Sequence, residues 1–72
     1  MKYQLEIPNM SCNHCVMKIK KIFEKYSVEV TDVNLSDKFI IIEDKSELKE
    51  IDKIKEDLAD LDYFVENIRK IE

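Results

Sequence analysis

Val28-Glu29-Val30-Thr31-Asp32-Val33-Asn34-Leu35-Ser36-Asp37-Lys38-Phe39-Ile40-Ile41-Ile42 is the stretch from which the architecture is read. Two runs rich in β-branched residues are separated by Ser36, Asp37 and Lys38, a polar turn so short that it joins the runs as an antiparallel hairpin. In the first run, 28–35, Thr31, Val33 and Leu35 share one face while Asp32 and Asn34 take the other. In the second, 39–42, Phe39 and Ile41 must face opposite to Ile40 and Ile42. Phe39 and Ile41 are assigned to the core, which leaves Ile40 and Ile42 partly exposed on the open side of the sheet.

Outward from the hairpin, both neighbours have helical periodicity. On the N-terminal side Val16, Ile19, Ile22, Phe23 and Tyr26 recur at three-and-four spacing and predict a helix over 13–26. Lys18, Lys21 and Lys25 lie on its other face and read first as a solvated face. On the C-terminal side Asp44, followed three residues later by Glu47, resembles a capping box, and Leu48, Ile51, Ile54, Leu58 and Leu61 trace an apolar stripe. That predicts a second helix over 46–60, with Glu50, Asp52, Glu56, Asp57 and Asp60 keeping its outer face wet.

The two ends supply strands. Tyr3, Leu5 and Ile7 alternate with Lys2, Gln4 and Glu6, a half-buried strand over 2–7 that Pro8 terminates. Tyr63-Phe64-Val65-Glu66-Asn67-Ile68 has the composition of a fourth strand running to about residue 71. The order β-α-β-β-α-β is the split βαβ arrangement: an α+β fold with a four-stranded antiparallel sheet and two helices on one face.

Composition agrees with a single small domain over residues 1–72. With 44% hydrophobic and 39% charged residues the chain can fold around one modest core. Residues 1–7 contain no apolar run, which excludes a signal peptide or a membrane span there and points to the cytoplasm. The net charge of −4, with lysines interspersed among acids, excludes a nucleic-acid surface. In a reducing compartment, two cysteines three apart serve metal or redox chemistry more readily than a structural disulfide.

Those cysteines lie in Met10-Ser11-Cys12-Asn13-His14-Cys15, which also holds the one histidine of the chain. With Cys12 in a loop and Cys15 in the first helical turn, both sulfurs can point at the same spot, and the helix N-terminus favours thiolate, the metal-binding form. Two soft thiolates without a neighbouring carboxylate suit Cu(I). Structural zinc wants four ligands, and one cysteine pair plus His14 does not supply them. A dithiol oxidoreductase is the rival from another class, and two uninvolved thiols are the third reading. Against the redox reading, Ser11 rather than an aromatic precedes Cys12, and no proline separates the cysteines.

Asn9-Met10-Ser11-Cys12-Asn13-His14-Cys15 resembles the GMxCxxC signature of the heavy-metal-associated domain family, which includes the small bacterial copper chaperones and the N-terminal modules of copper-transporting P-type ATPases. The match extends along the whole chain, from 3–7 through 28–35 and 39–44 to Asp62-Tyr63. The resemblance implies a ferredoxin-like βαββαβ fold, and Cu(I) held by Cys12 and Cys15 on an exposed loop. It also implies transfer by ligand exchange to the metal-binding domain of a P-type ATPase. Met10 matches a position whose side chain packs under the loop. Tyr63 matches an aromatic near the metal loop that can shield or orient the thiolates, or simply cap the core. His14 resembles the CxHC form of bacterial chaperones and reads as a bystander or modulator rather than a fixed ligand.

Two positions depart from the family pattern: Asn9 replaces the usual Gly before Met10, and Asp62 the Gly common before Tyr63. Asn and Asp tolerate positive φ, so both loops can keep their shape. Ser11 stands where zinc- and cadmium-transporting relatives often carry an acid, which leans the metal toward copper. The expected protein is therefore a cytoplasmic copper chaperone, not an enzyme. It is a monomer whose exposed sites can share copper in a metal-bridged dimer, and its lysine row can meet an acidic partner. The rivals of the same fold are a carrier of Hg(II) or Zn(II) and an excised ATPase domain; the start at Met1 and the end soon after the fourth strand favour the free-standing form.

Overall fold

Alternation in the first strand decides which side of the sheet is covered. Tyr3, Leu5 and Ile7 are all buried while Lys2, Gln4 and Glu6 are not. The computed structural model describes residues 1–45 and 48–71. Its elements are β1 (Lys2–Glu6), α1 (Asn13–Lys25), β2 (Glu29–Asn34), β3 (Phe39–Glu43), α2 (Ile51–Asp60) and β4 (Asn67–Lys70). The strands form one sheet in the order β2-β3-β1-β4, every pair antiparallel. β1 thus lies between β3 and β4, and each β-α-β unit is split by an intervening strand, as in ferredoxin-like folds. Ile19 and Phe23 of α1 and Ile54 and Leu58 of α2 join the same buried cluster as Leu5 and Ile7, so both helices cover one face. Among the described residues no helix is long and apolar enough to cross a membrane.

The core face of β3 is the reverse of the one assigned from sequence. Tyr3 pairs with Ile42 and Leu5 with Ile40, and directly paired residues share a face. Ile40 and Ile42 are therefore buried, while Phe39 and Ile41 are half-buried on the open side. Four apolar residues in a row carry no parity of their own; only the register against β1 sets it. The single face assigned to Thr31, Val33 and Leu35 is broken for a related reason. Between Val30 and Asp32 the register shifts, so that Val30 opposes Ile42 and Val33 opposes Ile40. Thr31 is the extra residue of a bulge; it is exposed, and its hydroxyl donates to the Ile41 carbonyl at 3.3 Å.

Both helices end in the same way, without glycine. At the end of α1 the Ser27 N–H bonds the Glu24 carbonyl and the Val28 N–H the Phe23 carbonyl, with Ser27 at φ 60°. At the end of α2 Asp62 and Tyr63 donate to Ala59 and Leu58, with Asp62 at φ 65°. This is the Schellman arrangement, whose left-handed residue is usually Gly. The chain has no Gly at all, and Ser27, Lys38, Leu48 and Asp62 take left-handed backbone in its place.

The second helix starts later than its apolar stripe predicts. Leu48 has φ 61° and cannot lie inside a right-handed helix, and α2 begins at Ile51. Asp44 is buried and its carboxylate accepts the Leu48 N–H at 3.1 Å, while Glu47, the other half of the expected capping box, lies outside the described residues. Leu61, counted in the stripe, falls beyond the helix and is exposed. The helices are tied to each other where Asp57 accepts from the Tyr26 hydroxyl at 2.8 Å and from Lys25 at 3.2 Å. Tyr26 first, and then Lys25, hold the Asp57 carboxyl below its ordinary range. The fourth strand is also shorter than expected. Residues 63–66 are an extended connection, and only Asn67–Lys70 join the ladder on β1.

Two stability tests follow from this packing. Ile42→Val should lower unfolding free energy by about 0.5–1.5 kcal/mol, whereas Ile41→Val should change it by less than about 0.5 kcal/mol; urea midpoints at unchanged slope distinguish the two. Ser27→Gly relieves a left-handed non-glycine residue at an exposed site and should stabilise by about 0.5–1 kcal/mol, net of glycine's greater freedom in the unfolded chain.

Candidate metal centre

The loop carrying the cysteines is shaped before the first cysteine is reached. Where β1 ends, the Ile7 N–H bonds the Lys38 carbonyl at 2.9 Å. Pro8 and Asn9 form an exposed turn closed by the Met10 N–H on the Ile7 carbonyl at 3.0 Å. Met10 then drops fully into the core, and the chain returns to the surface with Ser11 and Cys12. Lys38 reaches across from the β2–β3 turn and donates to the Met10 carbonyl at 3.4 Å.

Cys12 is the N-cap of α1. Its backbone is extended, at φ −152° and ψ 167°, and its sulfur accepts the Cys15 N–H at 3.4 Å. That is the role Ser or Asp usually plays at a helix start, here filled by sulfur. The first turn holds no acidic residue, so nothing else offsets the positive end of the helix. Cys12 Sγ and Cys15 Sγ lie 3.0 Å apart, both free thiols, with Cys12 exposed and Cys15 half-buried.

At that distance one thiol donates to the other's thiolate. The Cys15 thiol is lowered to about 6, chiefly by the Cys12 side chain, then by the Tyr63 hydroxyl and the Ser11 backbone. Tyr63 is buried beside the pair, and its phenol is pushed up to about 12 because its hydroxyl donates toward Cys15 and would lose that role on ionising. The contact lacks the close geometry of the Cys12–Cys15 pair but makes Tyr63 part of the centre.

The remaining residues singled out from sequence divide clearly. Met10 lies under the loop with its thioether in the core, as an anchor does. His14 is exposed on the first turn of α1, and among the described residues no group of three His, Cys, Asp or Glu side chains converges to hold a metal. In the lysine row, Lys18 and Lys21 are exposed while Lys25 is engaged with Asp57.

One contact escaped sequence reasoning altogether. Asn9 Nδ2 donates to the Asp62 carbonyl at 2.6 Å, joining the two positions that depart from glycine. Asp62 does use the left-handed backbone expected of it, whereas Asn9 is not among the positive-φ residues. Two polar replacements in a glycine-free chain were the available signal, but their separation of 53 residues hid the link.

No protein-family model matches the chain. It is 38% identical over 61 residues to the COP-associated protein of Helicobacter pylori, covering 83% of this chain and 91% of that one. Its fold matches that of a heavy-metal-binding protein of Thermotoga maritima solved by NMR, at TM-score 0.75 and 32% identity, over 99% of this chain and 100% of the other. The copper chaperone Atx1 of Synechocystis matches at TM-score 0.67 and 28% identity, over 88% and 97%. With a cysteine pair between β1 and α1 of a βαββαβ fold, and relatives at this identity along nearly its whole length, the chain belongs to the heavy-metal-associated domain family.

Proposed function

We propose that Cys12 and Cys15 bind Cu(I) as a two-coordinate bis-thiolate, and that the chain is a cytoplasmic copper chaperone delivering the ion to the metal-binding domain of a P-type ATPase. The observation that carries this reading is an open, sulfur-only pair: two thiols 3.0 Å apart at the surface, with no third ligand converging among the described residues. Cu(I) accepts so low a coordination and prefers sulfur, whereas structural zinc wants four ligands. The copper chaperone Atx1 and the COP-associated protein among the relatives support the same reading. Two soft thiolates also suit Hg(II), so the cargo is decided by competition rather than by geometry.

Delivery follows from the same openness. A partner thiolate attacks the bound ion from the solvent side and forms a three-coordinate bridge. One of the chain's sulfurs then leaves and takes up a proton. Cys12, exposed and held to the helix only by accepting the Cys15 N–H, is the sulfur freer to leave or rejoin. Lys18 and Lys21 on the exposed face of α1 steer an acidic partner toward the loop, an effect that added salt screens.

Titration of the reduced protein with Cu(I), Zn(II) and Hg(II) against competing chelators, with native mass of the product, tests the cargo. Cu(I) should bind at one ion per chain, alone or shared in a metal-bridged dimer. Cys12→Ser and Cys15→Ser should each weaken binding at least about 100-fold. Tighter Zn(II) than Cu(I) binding would remove the copper assignment, and catalytic reduction of insulin without retention of Cu(I) would replace the carrier with an oxidoreductase.

The pH dependence has a defined sign. Cys15 is a thiolate above about pH 6, so metal there displaces no proton from it; below that value a proton competes. Apparent Cu(I) affinity should fall about tenfold per pH unit below pH 6 from this group alone, and chelator competition between pH 5 and 7 reads the break.

A further inference from the structure

The cysteine loop and the loop between α2 and β4 are joined by a bond that neither needs for its own fold. The α2–β4 loop is fixed at its start by the Tyr63 N–H on the Leu58 carbonyl and at its end by the Glu66 N–H on the Glu6 carbonyl, at 2.8 Å. The cysteine loop is fixed by buried Met10 and by Lys38 on the Met10 carbonyl. The Asp62 N–H is taken up by the helix end, and left-handed backbone turns its carbonyl to Asn9. Asp62 directly precedes Tyr63, whose hydroxyl interacts with the Cys15 sulfur.

We infer that Asn9 is a positioning residue: its amide, bonded to the Asp62 carbonyl, holds the α2–β4 loop against the cysteine loop and so keeps the Tyr63 hydroxyl on Cys15. The chemistry of the bond selects the residue. A carbonyl needs a donor, which the Asn amide supplies. Aspartate of the same shape has only acceptors, and glycine has no side chain. At 2.6 Å the bond is short for an amide on a carbonyl, which marks close loop-to-loop contact. A hydrogen bond from Tyr63 stabilises the Cys15 thiolate and blunts its nucleophilicity, so Asn9 slows sulfur exchange from outside the ligand pair. The consequence for metal transfer rests on the chaperone reading; the positioning itself does not.

The test uses reduced, metal-free protein at pH 8, above the Cys15 titration, and measures alkylation of Cys15 by iodoacetamide with peptide mapping. Wild type is compared with Asn9→Asp, Asn9→Gly, Tyr63→Phe and the double variant Asn9→Asp/Tyr63→Phe, each with its folded state checked by circular dichroism. Each single variant should speed Cys15 alkylation about threefold, and the double variant should be no faster than Tyr63→Phe, because Asn9 acts through Tyr63. Rates unchanged in Asn9→Gly, or effects that multiply to about ninefold in the double variant, overturn the proposal. A fast Asn9→Asp beside a wild-type Asn9→Gly also overturns it, since added charge would then be the cause. If the copper titration fails, the chaperone reading falls while these rates still decide the role of Asn9.

Discussion

Burial of the Met10 side chain governs where the cysteine loop can go. Between Ile7, the last core residue of the β1 alternation, and Cys15, the chain must expose a reactive sulfur without letting the segment drift. A fully buried methionine contributes about 1.5–3 kcal/mol of apolar transfer free energy, enough to hold one point of a surface loop. Its backbone is held as well, by Ile7 on the N–H side and Lys38 on the carbonyl side. Ser11 and Cys12 are then two residues of exposed chain on a rigid base, and α1 starts from there.

The site was more legible than the parity of the strands, for physical reasons. Cys12 and Cys15 are rare residue types at a fixed spacing across a helix start, and that local pattern survives folding unchanged. Tyr63 became visible through family resemblance, since nothing near it in sequence connects it to sulfur. β1 displays its buried face because polar residues alternate with Tyr3, Leu5 and Ile7. Phe39 to Ile42 display no face, so their parity waited on pairing with β1, and a single extra residue at Thr31 then shifted β2. The late start of α2 has the same character: Leu48 continues the apolar stripe but sits in left-handed backbone. Side-chain periodicity reports which residues prefer the core, not the backbone that takes them there.

Electrostatics at the pair is asymmetric in a way that suits exchange. Cys15 receives stabilisation from Cys12, Tyr63 and the Ser11 backbone, so it is the sulfur that stays ionised. Cys12 is exposed and gives its lone pairs to the Cys15 N–H as the cap of α1. Metal on Cys12 competes with that weak cap, whereas metal on Cys15 finds a thiolate already prepared. A small domain could have prepared both sulfurs alike by burying them, but burial raises a thiol's pKa in apolar surroundings and shuts out an incoming ligand.

A third protein ligand would be the obvious way to hold such a loop in one shape. It would also close the coordination sphere, and a closed sphere retains metal, as structural zinc sites do. Here the holding is transferred to groups that never enter the sphere: Met10 beneath, Lys38 at the loop's entry, Tyr63 beside Cys15, and the Asn9–Asp62 bond across the gap between loops. Each orders the loop without occupying the open side of the sulfurs. Geometry and lability are then set by different residues, so the loop can be rigid while its ligand set stays incomplete. In a chain without glycine, the polar side chains at Asn9 and Asp62 are not merely tolerated replacements in their turns. The Asn9 side chain and the left-handed Asp62 carbonyl form one of the ties that make an under-coordinated site structurally stable.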